Sequence, residues 1–89
     1  MPRVVFTSNL QRHVSCPARD AAGETVSAVL QKVFDQEPQI RGYVLDEQGE
    51  LRKHVAVFID GERVRDRRRL TDPVREASQI YVLQALTGG

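Results

Sequence analysis

His54-Val55-Ala56-Val57-Phe58-Ile59-Asp60-Gly61-Glu62-Arg63-Val64-Arg65 reads as two strands joined by a tight turn. Val55, Val57 and Ile59 alternate to one face, the period of a half-buried strand. Asp60-Gly61 follows directly and is the strongest short-range hairpin signal, because a two-residue turn needs residues that tolerate positive φ. Glu62 to Arg65 then return. On the N-terminal side, Gly42-Tyr43-Val44-Leu45 predicts a short strand, and Asp46-Glu47-Gln48-Gly49-Glu50 a polar turn leading to Leu51. On the C-terminal side, Asp66 to Glu76 is a polar connection with Leu70 and Val74 as anchors to the core. Gln79-Ile80-Tyr81-Val82-Leu83-Gln84-Ala85-Leu86 is apolar almost throughout. That suits a central strand covered on one face and partly covered on the other.

The period changes further upstream. Val26, Val29, Leu30, Val33 and Phe34 fall at i, i+3, i+4, i+7 and i+8, one oily stripe of an amphipathic helix. Thr25 is its N-cap, without the Glu or Gln three residues on that would complete a capping box. Pro38 ends it, since the residue before a proline is pushed out of the α region. Arg3-Val4-Val5-Phe6-Thr7 is a β-branched and aromatic strand. Ser8-Asn9-Leu10-Gln11 supplies a turn, and Arg12-His13-Val14-Ser15-Cys16 returns as the second arm, stopped by Pro17. Ala18 to Gly23 reads as a short polar connection with no element of its own. The predicted class is α+β, one main helix on one face of a mixed sheet of four or five strands. If the last strand lies between the first and a later one, the arrangement is a β-grasp.

The 89 residues suffice for one small domain and not for two. Hydrophobic residues at 40% and charged residues at 28% are a globular composition, with core enough to fold. Thirteen basic and twelve acidic side chains leave a formal charge of +1, which argues against the uniform electrostatic footprint of a dedicated nucleic-acid binder. No apolar run reaches the roughly 18–20 residues of a membrane span. Met1-Pro2-Arg3-Val4 lacks the ordered regions of a signal peptide, so the expectation is a cytoplasmic domain. The single thiol, Cys16, excludes an internal disulfide, and with His13 and His54 it matches no metal-ligand spacing. It reads as a small apolar strand residue. No metal site is expected.

The chain closes on Leu86-Thr87-Gly88-Gly89, and the expected division is a domain over 1–86 and a flexible tail over 87–89. Glycine normally permits a turn or a cap, yet here no chain follows to be turned. A thin tail, by contrast, can enter a narrow channel where a β-carbon would collide, and it delivers a terminal carboxylate.

With Val4-Val5-Phe6, Gly23-Glu24-Thr25-Val26, the segment Leu51 to Arg65 and the terminal diglycine in this order, the chain resembles the ThiS/MoaD family of ubiquitin-like sulfur-carrier proteins over essentially its whole length. The segment around Asp46-Glu47-Gln48-Gly49 is closer to MoaD-like (the small subunit of molybdopterin synthase) and cysteine-pathway carriers than to the shorter ThiS form. Family members often carry an acidic, glycine-containing turn before the last strand; here that stretch reads Val74-Arg75-Glu76-Ala77-Ser78-Gln79. The resemblance implies a β-grasp fold and no catalytic residues of its own. It implies that Gly89 is adenylated by an E1-like adenylyltransferase of the MoeB/ThiF kind, which uses ATP, with Gly88 giving access. A sulfurtransferase or other sulfur donor then converts Gly89 to a thiocarboxylate, and an acceptor synthase subunit receives the sulfur. No cofactor is bound.

Other features admit simpler readings. Arg63, Arg65, Arg67, Arg68 and Arg69 form a cluster interrupted by Asp66, either a solvated loop or a docking site for an acidic partner. No aromatic residue sits among these arginines to stack on bases. Tyr81 and Leu83 belong either to an exposed docking patch or to sheet packing. Asp60 and Gly61 are accounted for by their turn. No paired carboxylates, nucleophile–base pair or phosphate loop supports an independent enzyme. A modifier joined to lysines through the same tail, or a binding module that uses the arginine loop, remain the alternatives to a sulfur carrier.

Overall fold

The computed structural model of the chain describes residues 1–6 and 18–84. The elements are β1 (Arg3–Phe6), β2 (Arg19–Asp20), α1 (Val26–Gln36), α2 (Pro38–Val44), β3 (Val55–Ile59), β4 (Glu62–Arg63) and β5 (Gln79–Gln84). The strands form one mixed five-stranded sheet in the order β2-β1-β5-β3-β4. The last strand is central. It runs parallel to β1, with Val4 opposite Ile80, and antiparallel to β3, with Val57 opposite Val82. This is the β-grasp arrangement anticipated from the element order.

The stripe of α1 is buried as its spacing predicts: Val26, Val29, Leu30, Val33 and Phe34 share one core with Val4, Phe6, Val57, Ile80 and Val82. Its start is closed by two sources. The Thr25 hydroxyl accepts from Ala28 N at 3.1 Å, and the carbonyls of Asp72 and Leu70 accept from Val26 N and Ser27 N. The connection after β4 thus satisfies backbone donors that a helix leaves unpaired. Leu70 makes this possible by adopting a φ of 56° while its side chain stays buried in the core. Gly23, just upstream, meets α1 so closely that a Cβ there would stand 2.8 Å from Val29 N, so only glycine fits.

Three expectations are corrected. Gly42-Tyr43-Val44 is helical rather than extended, because Ile40 and Val44, four residues apart, bury one side of α2. Pro38 does end α1, but it also opens α2 at the position where a missing N–H costs nothing. Only Leu45 is extended, in a single antiparallel bridge with Leu51. The Asp46–Glu50 turn between them is as predicted, held by Asp46 Oδ1, which accepts from Gln48 N and Glu50 N. Second, Arg19-Asp20 is not mere connection. It pairs with β1, and Ala21 N donates to the Pro2 carbonyl at 3.0 Å. The predicted arm Arg12–Cys16 lies outside the described residues. Third, β4 stops at Arg63 rather than Arg65. Val64 turns into the core, and the Asp72 carboxylate takes the N–H groups of Arg65 and Asp66, each at 2.9 Å.

The Asp60-Gly61 turn has φ of 51° and 88°, the two left-handed residues of a type I′ hairpin. Asp60 does more than turn the chain. Its carboxylate accepts from Gln79 N and from the hydroxyl of Ser78, both at 2.9 Å, fastening the hairpin to the start of β5. The Gln79 N–H and the Ser78 hydroxyl hold that carboxyl below its ordinary range. No helix among the described residues is long and apolar enough to cross a membrane.

Candidate functional site

The site is approached along β5. Gln84, its last described residue, pairs with Val55 at the start of β3, which sets the end of the central strand near Lys53 and His54. Gly88 and Gly89, expected to form the working tail, and the boundary after residue 86 lie outside the described residues, as do Cys16 and His13.

The β5 alternation separates two faces. Ile80 and Val82 point to the core, while Tyr81 and Leu83 point away from the helices. Tyr81 is 37% exposed and is the centre of a cross-strand row: Val5 on β1, Tyr81, Phe58 on β3 and Arg63 on β4. The Arg63 guanidinium carbon lies 5.7 Å from the Phe58 ring centroid, within cation–π range. Leu83 stands opposite Ala56 in the next row.

The arginine loop is a built turn. Asp66 Oδ1 accepts from the N–H groups of Arg68 and Arg69, and its Oδ2 from the Thr71 hydroxyl at 2.6 Å. The Thr71 hydroxyl, and then the Arg69 N–H, stabilise the ionised form and bring its carboxyl down to about 2. With the folded value below the unfolded one, this contribution is present above about pH 4 and is lost as pH falls through about 2. The expected result is a thermal midpoint that drops between pH 4 and 2 less steeply in Asp66→Asn than in the parent. Equal slopes in the two melts would remove this role.

The arginines set on this turn diverge. Arg67 donates to the Arg52 carbonyl at 3.0 Å and borders a concavity of about 620 Å³ that also includes Leu83 and Gln84. Arg69 instead borders a smaller hollow against the helices, beside Arg41. Of the predicted docking residues, the structure therefore joins Leu83 to Arg67, sets Tyr81 in the adjoining row, and turns Arg69 elsewhere; Arg68 is exposed. It brings in Arg63 from the predicted cluster and adds Lys53, His54 and Phe58, which sequence spacing did not single out for docking. The missing signal was the strand register, which sets Val55 and Ala56 beside Gln84 and Leu83, and Phe58 opposite Arg63. Among the described residues no three His, Cys, Asp or Glu side chains are grouped to hold a metal ion.

A five-stranded mixed sheet with its last strand central and the helix stripe buried against it defines a ubiquitin-like β-grasp protein. The chain belongs to the ThiS family, whose model matches residues 10–89. Members are of the small-carrier type, and the chain is accordingly a ubiquitin-like protein of the sulfur-carrier class.

Solved structures share the fold. The Amycolatopsis orientalis BexX/CysO complex contains a chain of 23% identity and TM-score 0.83, with both chains covered over 100%. The small archaeal modifier protein 1 from Methanosarcina acetivorans matches at 22% identity and TM-score 0.81, over 99% of this chain and 95% of that one. CysO from Mycobacterium tuberculosis matches at 21% and 0.80, over 97% and 100%. No curated protein matches the sequence.

Proposed function

We propose that the protein carries sulfur on Gly89. The observation that carries this reading is a family match that runs through Thr87-Gly88-Gly89, joined to a fold whose central strand leads into that segment. A carboxylate is a poor electrophile at neutral pH, so it must first be activated. A separate adenylyltransferase would join the Gly89 carboxylate to the α-phosphate of ATP, with loss of pyrophosphate. Sulfide attacking the carbonyl then expels AMP and leaves the thiocarboxylate. A persulfide attacking in its place gives an acyl disulfide that a second thiol cleaves to the same product. The thiocarboxylate is nucleophilic yet tethered, so an acceptor synthase subunit receives sulfur that never diffuses free. Gly88 keeps the tail thin enough for the channel in which this happens, and ATP is bound by the partner rather than by this chain. In this reading the protein works in the cytoplasm, with the β-grasp body as handle and the tail as reagent.

A second reading, a modifier joined through Gly89 to lysines of other proteins, is favoured by the likeness to the small archaeal modifier protein 1. One measurement separates the two. Intact-mass spectrometry of the protein from its own cell, without reducing or acidic treatment, is expected to show a fraction with one C-terminal oxygen replaced by sulfur. Finding only heavier conjugates, whose tryptic peptides carry on lysine a remnant that begins after Arg75 and ends in Gly88-Gly89, would reverse the ranking.

A further inference from the structure

We infer that the groove beside the end of β5 is a docking surface for an acidic protein segment with a bulky apolar side chain at its centre. Residues 52–69 hold seven of the thirteen Lys and Arg side chains but three of the twelve acidic ones. Two of those three, Asp60 and Asp66, are turned onto nearby backbone N–H groups and hydroxyls. The groove itself is bordered by Lys53, His54, Arg63 and Arg67, and among the described residues no carboxylate lines it. Among the described residues, none of Lys53, Arg63 and Arg67 has a carboxylate within ion-pair distance.

Two of these cations are already held in place. Arg63 lies across Phe58, and Arg67 is tied to the Arg52 carbonyl. Fixing a long side chain on binding costs about 0.5–1.5 kcal/mol, so cations ordered beforehand bind carboxylates with less loss. Between them the surface is apolar, with Leu51, Ala56 and Leu83 in the same concavity. Its volume of about 620 Å³ suits a few side chains. Charge at the walls and aliphatic surface between them fit a peptide better than a nucleic acid. The aromatic ring in the groove, Phe58, already carries Arg63 on its face and offers little for base stacking. The inference stands apart from the chemistry of the tail.

The test is a nitrogen-15 chemical-shift titration of the full chain with three probes. The first is a synthetic Asp/Glu-rich peptide with Leu-Phe at its centre. The second carries Ser-Ser in place of Leu-Phe at equal charge, and the third is a single-stranded RNA oligonucleotide. The first peptide is expected to give saturable shifts at Leu51, Ala56, Phe58 and Leu83. Arg63→Gln combined with Arg67→Gln is expected to weaken it about tenfold. Lys53→Glu, on an exposed side chain, weakens it as well, so the result does not hang on one variant's folding. Arg68→Gln leaves the affinity unchanged, and so does removal of Gly88-Gly89. Absence of saturable shifts, equal binding of the Ser-Ser peptide, or tighter binding of the RNA would each overturn the inference.

Discussion

Deleting Gly89 is expected to abolish adenylation by the cognate activating enzyme while leaving the thermal midpoint where it was. Each extended residue spans about 3.3–3.6 Å, so the truncated carboxylate falls short of the α-phosphate by roughly that distance. In-line attack requires the reacting atoms within about 3–3.5 Å, and a displacement of even about 1 Å is enough to cost about a hundredfold. The described ladder of β5 runs to Gln84, five residues before Gly89, and glycine has no side chain to bury. Folding and activation should therefore separate cleanly. Gly88→Ala tests the same channel for width, with normal folding and much slower activation. ATP–pyrophosphate exchange beside a thermal melt makes both measurements, and unchanged exchange by the truncated chain would end the carrier reading.

Neighbouring residues on β5 should respond in opposite ways. Ile80 has no exposed surface and lies between Val4 and Ile59 in the middle of the sheet. Ile80→Ala is expected to cost about 2–5 kcal/mol through lost burial and the cavity left behind. Against a total stability of about 5–15 kcal/mol for a domain, that is a large fraction. With about 4–8 °C per kcal/mol at this size, the midpoint should fall by at least roughly 10 °C. Tyr81→Ala, one residue on, removes a side chain that faces outward and whose hydroxyl donates to Gln79 at 2.8 Å. Its midpoint should move by a few degrees at most. Comparable losses in the two variants would mean that the open face is not open.

What was legible in the sequence was what neighbouring residues settle between themselves. A stripe at helical spacing can only be a helix lying on something, and Val26 to Phe34 lies on the sheet. Asp60-Gly61 made its turn because those two residues accept positive φ, and the run after Ser78 became a strand whose Ile80 and Val82 are buried while Tyr81 between them faces outward. The terminal Gly88-Gly89 and the segment Leu51–Arg65 carried the family likeness in the same local way.

Tertiary structure decided the rest. A two-residue strand such as Arg19-Asp20 has no period to read, and its partner on β1 is set by closure of the sheet. Gly42-Tyr43-Val44 has the composition of a strand, and only a core pocket for Ile40 and Val44 made it helix. Leu70 holds a left-handed backbone because its carbonyl is needed by Ser27 N at the start of α1, far earlier in the chain. The groove cations are likewise scattered at 53, 63 and 67, and they come together only through the β3–β4 pairing that sets Arg63 opposite Phe58 and the bond from Arg67 to the Arg52 carbonyl. Such contacts are non-local, and their cost is the entropy of closing long loops. The sum over the whole sheet and core, rather than any preference of the residues involved, determines which of them form.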